Sequence, residues 1–447
     1  MTMSGKILNS LIVCAALLLC AGNVANAQAY TGYTPFSIYG IGDRSMPGTA
    51  YNRTMGGVGI AGRTHRFVNI INPAAITARD SLSFMADFSL NGDNKVFSQG
   101  DRKSAVNTFN LLDCVMQFPI YKSLTAMFGV SPYSSTGYGY SFDYDDPEIV
   151  GRAGSISYAA TGKGALYQGF GALGFTMLKR LSFGAEAIYY FGNTSKTYYG
   201  TFTNPSYNGV QNGQNIQLHA FSGKFGVQYE QPVGTKGKLV AGATYTMGAN
   251  LRGFVEDFSY AAGSAAAVDT LYHYVDSLSQ SSNKLKLASE IGVGVSYTHA
   301  DSWMVEFNYT MSDWTGCGFD GTSGFCGNSR TTATTSAFTA TRSEAFRFGL
   351  EIVPNRNDIR YYMKKVAYRG GAYYKNEYYL LDGHKINSMG ITFGATFPIN
   401  RGYNGVTVGV ELGQRGTVSD NLIRERFINF SVGMNIYDRW FHKQRFE

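Results

Sequence analysis

The residue types in this chain that could do chemistry are few and scattered. Six histidines (His65, His219, His273, His299, His384 and His442) lie far apart, and no two share metal-ligand spacing. Neither a G-x-S-x-G elbow nor a phosphate-binding loop occurs. Gly57-Val58-Gly59-Ile60-Ala61-Gly62 matches G-x-G-x-x-G, with Asp80 further on. That fingerprint requires a buried strand before it and a helix after it, and the surrounding sequence reads as neither. The run from Asp143 to Glu148 has the oxygen density for a calcium ion, but it reads rather as a solvated acidic loop. Cys317 and Cys326 flank a Gly-rich stretch and can close a small disulfide loop in an oxidising compartment, or stand as two incidental thiols. The charged residues that do fall into a pattern are Glu186, Lys286, Glu290, Glu306, Arg347, Glu351, Arg369 and Glu411. Each has the polar parity of an alternating segment, so they are expected to pair inside a lumen or to line a path through it. No enzymatic activity, cofactor or metal is expected.

The elements that position those charges are strands. The sequence has 54 Gly, 32 Tyr and 30 Phe in 447 residues, with only 15% charged residues. Beyond the N-terminus, no run approaches the roughly 20 apolar residues a spanning helix needs. The formal charge of +7 is mild, and the Lys and Arg are dispersed, so no nucleic-acid partner is indicated. Lys6, an apolar stretch from Ile7 to Cys20 and then Ala25-Asn26-Ala27 read as a cleaved signal peptide over 1–27, with the mature chain starting at Gln28. Leu19 before Cys20 is unsuited to a lipid-modified cysteine.

Period-two alternation then recurs along the chain. Leu181, Phe183, Ala185, Ala187, Tyr189 and Phe191 oppose Ser182, Gly184, Glu186 and Tyr190, and Met389, Ile391, Phe393 and Phe397 oppose Gly390, Thr392, Gly394 and Thr396. Strands are expected near 81–90, 107–119, 122–133, 167–177, 181–192, 216–230, 238–250, 284–298, 302–314, 343–353, 366–376, 386–398, 405–414 and 426–437. Short connections alternate with long ones at 134–166, 193–215, 251–283 and 315–342. An even number of roughly ten-residue strands joined in that way describes an all-β fold: a 14-stranded antiparallel transmembrane β-barrel in the outer membrane of a Gram-negative bacterium. Its apolar face meets outer-membrane lipids, its short turns are periplasmic, and it occupies 81–447. Trp440 and Phe441 read as interface aromatics, followed by a charged tail.

Residues 28–80 do not alternate. They are Gly-rich, mix in Phe36, Ile38, Ile70 and Ile76, and are expected to fill the lumen as a hatch. Gly40, Gly42, Gly56, Gly57, Gly59 and Gly62, followed by Asn72-Pro73-Ala74 just before the first strand, resemble the hatch of the FadL-type long-chain fatty acid transporter family. FRFGLEIVPN followed by YRGGAYY resembles that family's C-terminal third. The resemblance implies passive uptake of a hydrophobic small molecule held between hatch and lumen. It also implies a kinked third strand that opens sideways to the bilayer; here that strand holds Gly129 and is expected to end at Pro132. Relatives in the same superfamily serve as accessory subunits of outer-membrane secretion or assembly complexes, so other complex subunits are the alternative partners.

Overall fold

The computed structural model describes Thr31 to Arg439, apart from Ser81, Lys122, Asp145, Pro147 and residues 149–150, 152–153, 263–267, 278–284, 320–337 and 400–403. The segment expected as a signal peptide, Cys326, Trp440 and Phe441 lie outside the described residues. From residue 83 onward the chain is a meander of strands: β1 (Ser83–Gln99), β2 (Arg102–Tyr121), β3 (Leu124–Tyr144), β4 (Ile156–Met177), β5 (Leu181–Phe202) and β6 (Gly209–Val233). β7 runs in pieces (Gly237–Thr246, Ala249–Asn250, Arg252–Ala262), and so does β8 (Val268–Ser277, Lys286–Leu287, Glu290–His299). Then come β9 (Trp303–Asp313), β10 (Phe338–Ala340 and Arg342–Ile352), β11 (Ala367–Leu381), β12 (His384–Pro398), β13 (Gly405–Gly416) and β14 (Arg424–Arg439). Neighbours pair antiparallel, and β14 returns to β1 from Ser83↔Arg439 to Ser98↔Arg424, which closes the barrel.

The alternation places side chains as expected. Ile391, Phe393, Ile428, Phe430, Val432 and Met434 are exposed on the outer wall, while Thr392, Ser431 and Asn435 on the opposite parity are buried. An outward apolar band on a sheet that satisfies its own backbone groups by ladders is the arrangement a bilayer requires.

The strands run well past that band at the long-loop end. Residues 134–144, 193–202 and 252–262, expected as loops, continue β3, β5 and β7, so β3 to β8 form a tall wall on one side of the barrel. These extensions are rich in Tyr, Thr, Asn and Gly. Once both faces leave the lipid the apolar period fades, although backbone pairing continues.

One seam is incomplete. β2 and β3 pair only from Tyr121↔Leu124 up to Cys114↔Val130. Above that point β2 keeps its ladder with β1 but has no partner on its other edge among the described residues. β3 does not end at Pro132; it continues to Tyr144, with a register shift between Pro132 and Ser134. The missing N–H of Pro132 fits the place where the ladder lapses. Gly129, the second-last β3 residue paired to β2, lies against the Cys114 carbonyl and the Phe170 ring. The edge of β3 above the lapse is taken by the N-terminal segment: Asp43 and Arg44 pair antiparallel with Ser135 and Ser134, Ser45 donates to the Tyr133 carbonyl at 3.0 Å, and Thr34 donates to the Gly137 carbonyl at 2.7 Å.

Candidate functional site

Residues 31–80 fill the lumen as short turns, each fixed by its own polar side chains. Thr34 caps the turn Pro35–Ile38, Phe36 is buried against Tyr379, and the Ile38 carbonyl accepts a hydrogen bond from Lys196 of β5 at 2.8 Å. Asn72 accepts from the Ala74 amide at 2.9 Å and donates to the Ile60 carbonyl at 2.7 Å, so Asn-Pro-Ala both starts the turn Pro73–Thr77 and ties it to the Gly-rich loop. Gly42 and Gly57 have φ of +87° and +76°, a left-handed backbone that favours glycine, while Gly40 lies under the Tyr378 ring and Gly59 against Asn52, Asn69 and Ile71.

The inner wall is cut to receive these turns. A Cβ on Gly184 of β5 would fall closer than 3.0 Å to the backbone of Pro73 and Ala74; Gly226 of β6 faces Asn72, and Gly174 of β4 faces Ile76. Gly349 and Gly371 make the same room for Met55, and Gly242 for the backbone at Ile60. Alternate glycines on the polar parity of the strands are thus hatch seats, which accounts for much of the chain's glycine.

Charges clamp the hatch at several heights. Arg415 of β13 grips Asp43 with both terminal nitrogens, at 2.6 and 2.9 Å, and reaches Glu425 of β14 at 3.2 Å. Lys95 of β1 stands 3.4 Å from Glu425 and 3.7 Å from Asp43, and Thr34 donates to Glu425 at 2.6 Å. Burial would raise the Asp43 carboxyl, but Arg415 and Lys95 hold it well below the usual carboxylate range. Arg44 pairs with Glu290 of β8 at 2.7 Å and lies over the rings of Tyr133 and Trp314. Glu306 accepts from the Ala61 amide at 2.9 Å. Arg369 pairs with Glu351 at 2.8 Å and sits 4.6 Å from the stacked rings of Tyr51 and Phe67.

Of the eight charges assigned to the lumen by parity, seven face inward. Glu186 is buried, Arg347 donates to Thr310 at 2.8 Å, and Glu411 accepts from Asn429 at 3.1 Å and from Tyr373. Lys286 is the correction: it is exposed, and Leu285 and Leu287 are buried instead. β8 is interrupted at Ala288 and Ser289, which reverses the parity of the piece below residue 288. Cys317 is buried near the Asp313 carbonyl. The residues missed by sequence reasoning are Asp43, Arg44, Lys95, Arg415 and Glu425.

Between hatch and wall lies a cavity of about 280 Å³. Ile60, Ile70, Ile71, Leu112, Phe170 and Ile188 give it an apolar side, and Arg44, Glu290, Arg347, Lys375 and Arg415 a charged one. Its lining includes Leu111 and Leu112 of β2 and Pro132 and Tyr133 of β3, so it reaches the lapse in the ladder.

A closed fourteen-strand barrel plugged by its own N-terminal segment is the architecture of the FadL-type outer-membrane channels. The chain belongs to the BamG family, whose model matches residues 7–447. No curated protein sequence matches it. Its fold is similar to solved structures at low identity. The Pseudomonas putida toluene transporter TodX matches with a TM-score of 0.58 at 12% identity over 89% of this chain and 99% of that one. The CymD monoaromatic hydrocarbon channel matches with 0.57 at 11% over 89% and 99%, and a Pseudomonas aeruginosa FadL homologue with 0.58 at 10% over 90% and 100%. These neighbours are channels rather than enzymes.

Proposed function

We propose that this barrel passes hydrophobic small molecules, such as fatty acids or simple aromatics, from the long-loop side of the outer membrane into the bilayer without an energy source. The observation that supports it most is the cavity between hatch and wall, which continues to the β2–β3 lapse, where Leu111, Leu112 and Pro132 line a sideways path at lipid height. A molecule leaving there meets Leu111, Leu112 and Pro132 at the exit, while Arg44, Glu290 and Arg415 of the clamps line another part of the same cavity. The cavity volume lies at the low end for small-ligand pockets, roughly 300 Å³ and above, which suits a compact or slender ligand. The test is uptake of toluene and of a long-chain fatty acid into vesicles containing the purified barrel. Faster uptake than in barrel-free vesicles, slowed by Leu112→Arg, is expected; equal rates for both probes would overturn the reading.

A second reading, an accessory subunit of an outer-membrane secretion or assembly complex, is favoured by the match to the BamG family and by the wall of β3 to β8 above the band, which offers area for a partner. Co-purification in mild detergent of stoichiometric partner proteins, with no bound lipid ligand, would favour it over the first.

A further inference from the structure

Where β2 leaves β3, the molecule uses strand addition to satisfy half of the resulting seam. The hatch lends Asp43 and Arg44 to the edge of β3, antiparallel to it. The facing edge of β2 receives nothing among the described residues, although β2 keeps its ladder with β1 up to Gln99↔Arg102. Its upper part, residues 102–108, grows more polar toward its top: Lys103 and Asn107 face outward beside Arg426 and Asn94, with Val96 the exposed apolar residue among them, and Phe109 and Phe430 follow further down. An open edge of this length is a template for another strand, and proteins normally blunt such edges with charged side chains, lysine above all, with proline or with bulges; here only Arg102 and Lys103 at the top are charged, and residues 104–108 carry no charge. Residues 102–108 contain no proline, their pairing with β1 has no register shift, and they are small or β-branched at Ser104, Ala105, Val106 and Thr108.

From this edge we infer that β2 over residues 102–108 is a strand-addition site for an extended segment of a different protein. The segment runs toward the long-loop end, antiparallel to β2, and carries acidic residues at that end. The charge follows from Arg102 and Lys103, which are exposed at the top of the edge and make no ion pair among the described residues. A second copy of this chain does not fit. Two copies inserted the same way present β2 with the same polarity, so their edges would pair in parallel, and the unequal bonding of a parallel pair is incompatible with a two-fold axis. The window at Phe109 to Asp113 lies below the site, so strand addition leaves the proposed exit open.

The test uses the full chain in its native membranes. Single photo-crosslinking residues at Lys103, Ala105 and Asn107 should capture one partner segment at positions spaced two residues apart and in reverse order, the signature of an antiparallel ladder. The β2 amides over 102–108 should exchange more slowly in native membranes than in the purified barrel, by about fivefold or more for each backbone hydrogen bond gained. Arg102→Glu with Lys103→Glu, which leaves the β1–β2 ladder intact, should weaken capture severalfold. Crosslinks only to lipid, only to a second copy of this chain, or scattered over many proteins without the two-residue order would each overturn the inference. So would unchanged amide exchange between the two preparations.

Discussion

Replacing Gly184 by alanine places one methyl group where the hatch backbone already lies. The new carbon would meet Pro73 and Ala74 main-chain atoms closer than 3.0 Å, and main-chain atoms cannot rotate aside as a side-chain tip can. β5 is held on both sides, by β4 over its whole length and by β6 to Gly200, so the hatch must yield rather than the wall. Overpacking of this kind costs about 1 to 3 kcal/mol, which raises the population of undocked hatch by roughly 5- to 150-fold. Native-state hydrogen exchange reads this directly: the Ala74 and Ala75 amides should exchange faster by that factor while amides of β12 and β13 stay unchanged. Gly226→Ala, which meets the buried Asn72 side chain that caps the same turn, should act in the same direction, and Gly171→Ala, with nothing within 4 Å, should have no effect. If Gly184→Ala exchanged like the parent protein, the glycine wall would not be what seats the hatch.

Arg415→Met should destabilise hatch docking by about 3 to 5 kcal/mol, because it leaves Asp43 and Glu425 with Lys95 as their main counter-charge; thermal unfolding with hatch-resolved exchange would show it. Since the folded Asp43 carboxyl is depressed, its contribution is fully present above the unfolded value near about 4 and is lost as pH falls toward the folded value. Protection of the Arg44 and Ser45 amides should therefore be flat from neutral pH down to that point and decline below it, a decline absent in Asp43→Asn. Ile391→Lys on the lipid face should cost about 2 to 4 kcal/mol in folding into vesicles, whereas Lys286→Ala should be close to neutral.

Much of the barrel is legible because one rule, apolar outward and polar inward, acts at every second residue within the lipid band. Met389 to Phe397 obey it throughout, and Leu181 to Phe191 do so but for Ile188 and Tyr190, which turn inward to the cavity. The rule stops informing where lipid stops. Lys95, Arg415 and Glu425 all lie just past the apolar stretches that mark β1, β13 and β14, in segments that lack alternation but remain paired strand. Lys286 misleads for a related reason: the break at Ala288 and Ser289 resets parity, and neither residue type announces a break. The hatch is legible as something that is not a strand, and the glycine positions of the wall are visible in hindsight as its mould. Which hatch residue meets which wall residue depends on contacts more than 300 positions apart, as between Thr34 and Glu425, and no local pattern carries that information.

The closing strand also bears on the order of assembly. β14 touches the hatch near both of its ends, through Glu425 to Thr34 at 2.6 Å and through Asn435 to the Arg66 carbonyl at 2.8 Å, while its backbone pairs with β1. A turn-rich plug of fifty residues, seated on wall glycines, docks more readily on an open sheet than inside a closed barrel. If the first-made part of the chain folds against the wall before the last-made strand arrives, it serves as the former around which the sheet curls. Seen this way, the contacts at Glu425 and Asn435 act as a checkpoint on circumference: the sheet can complete its circle in register only when the plug is seated.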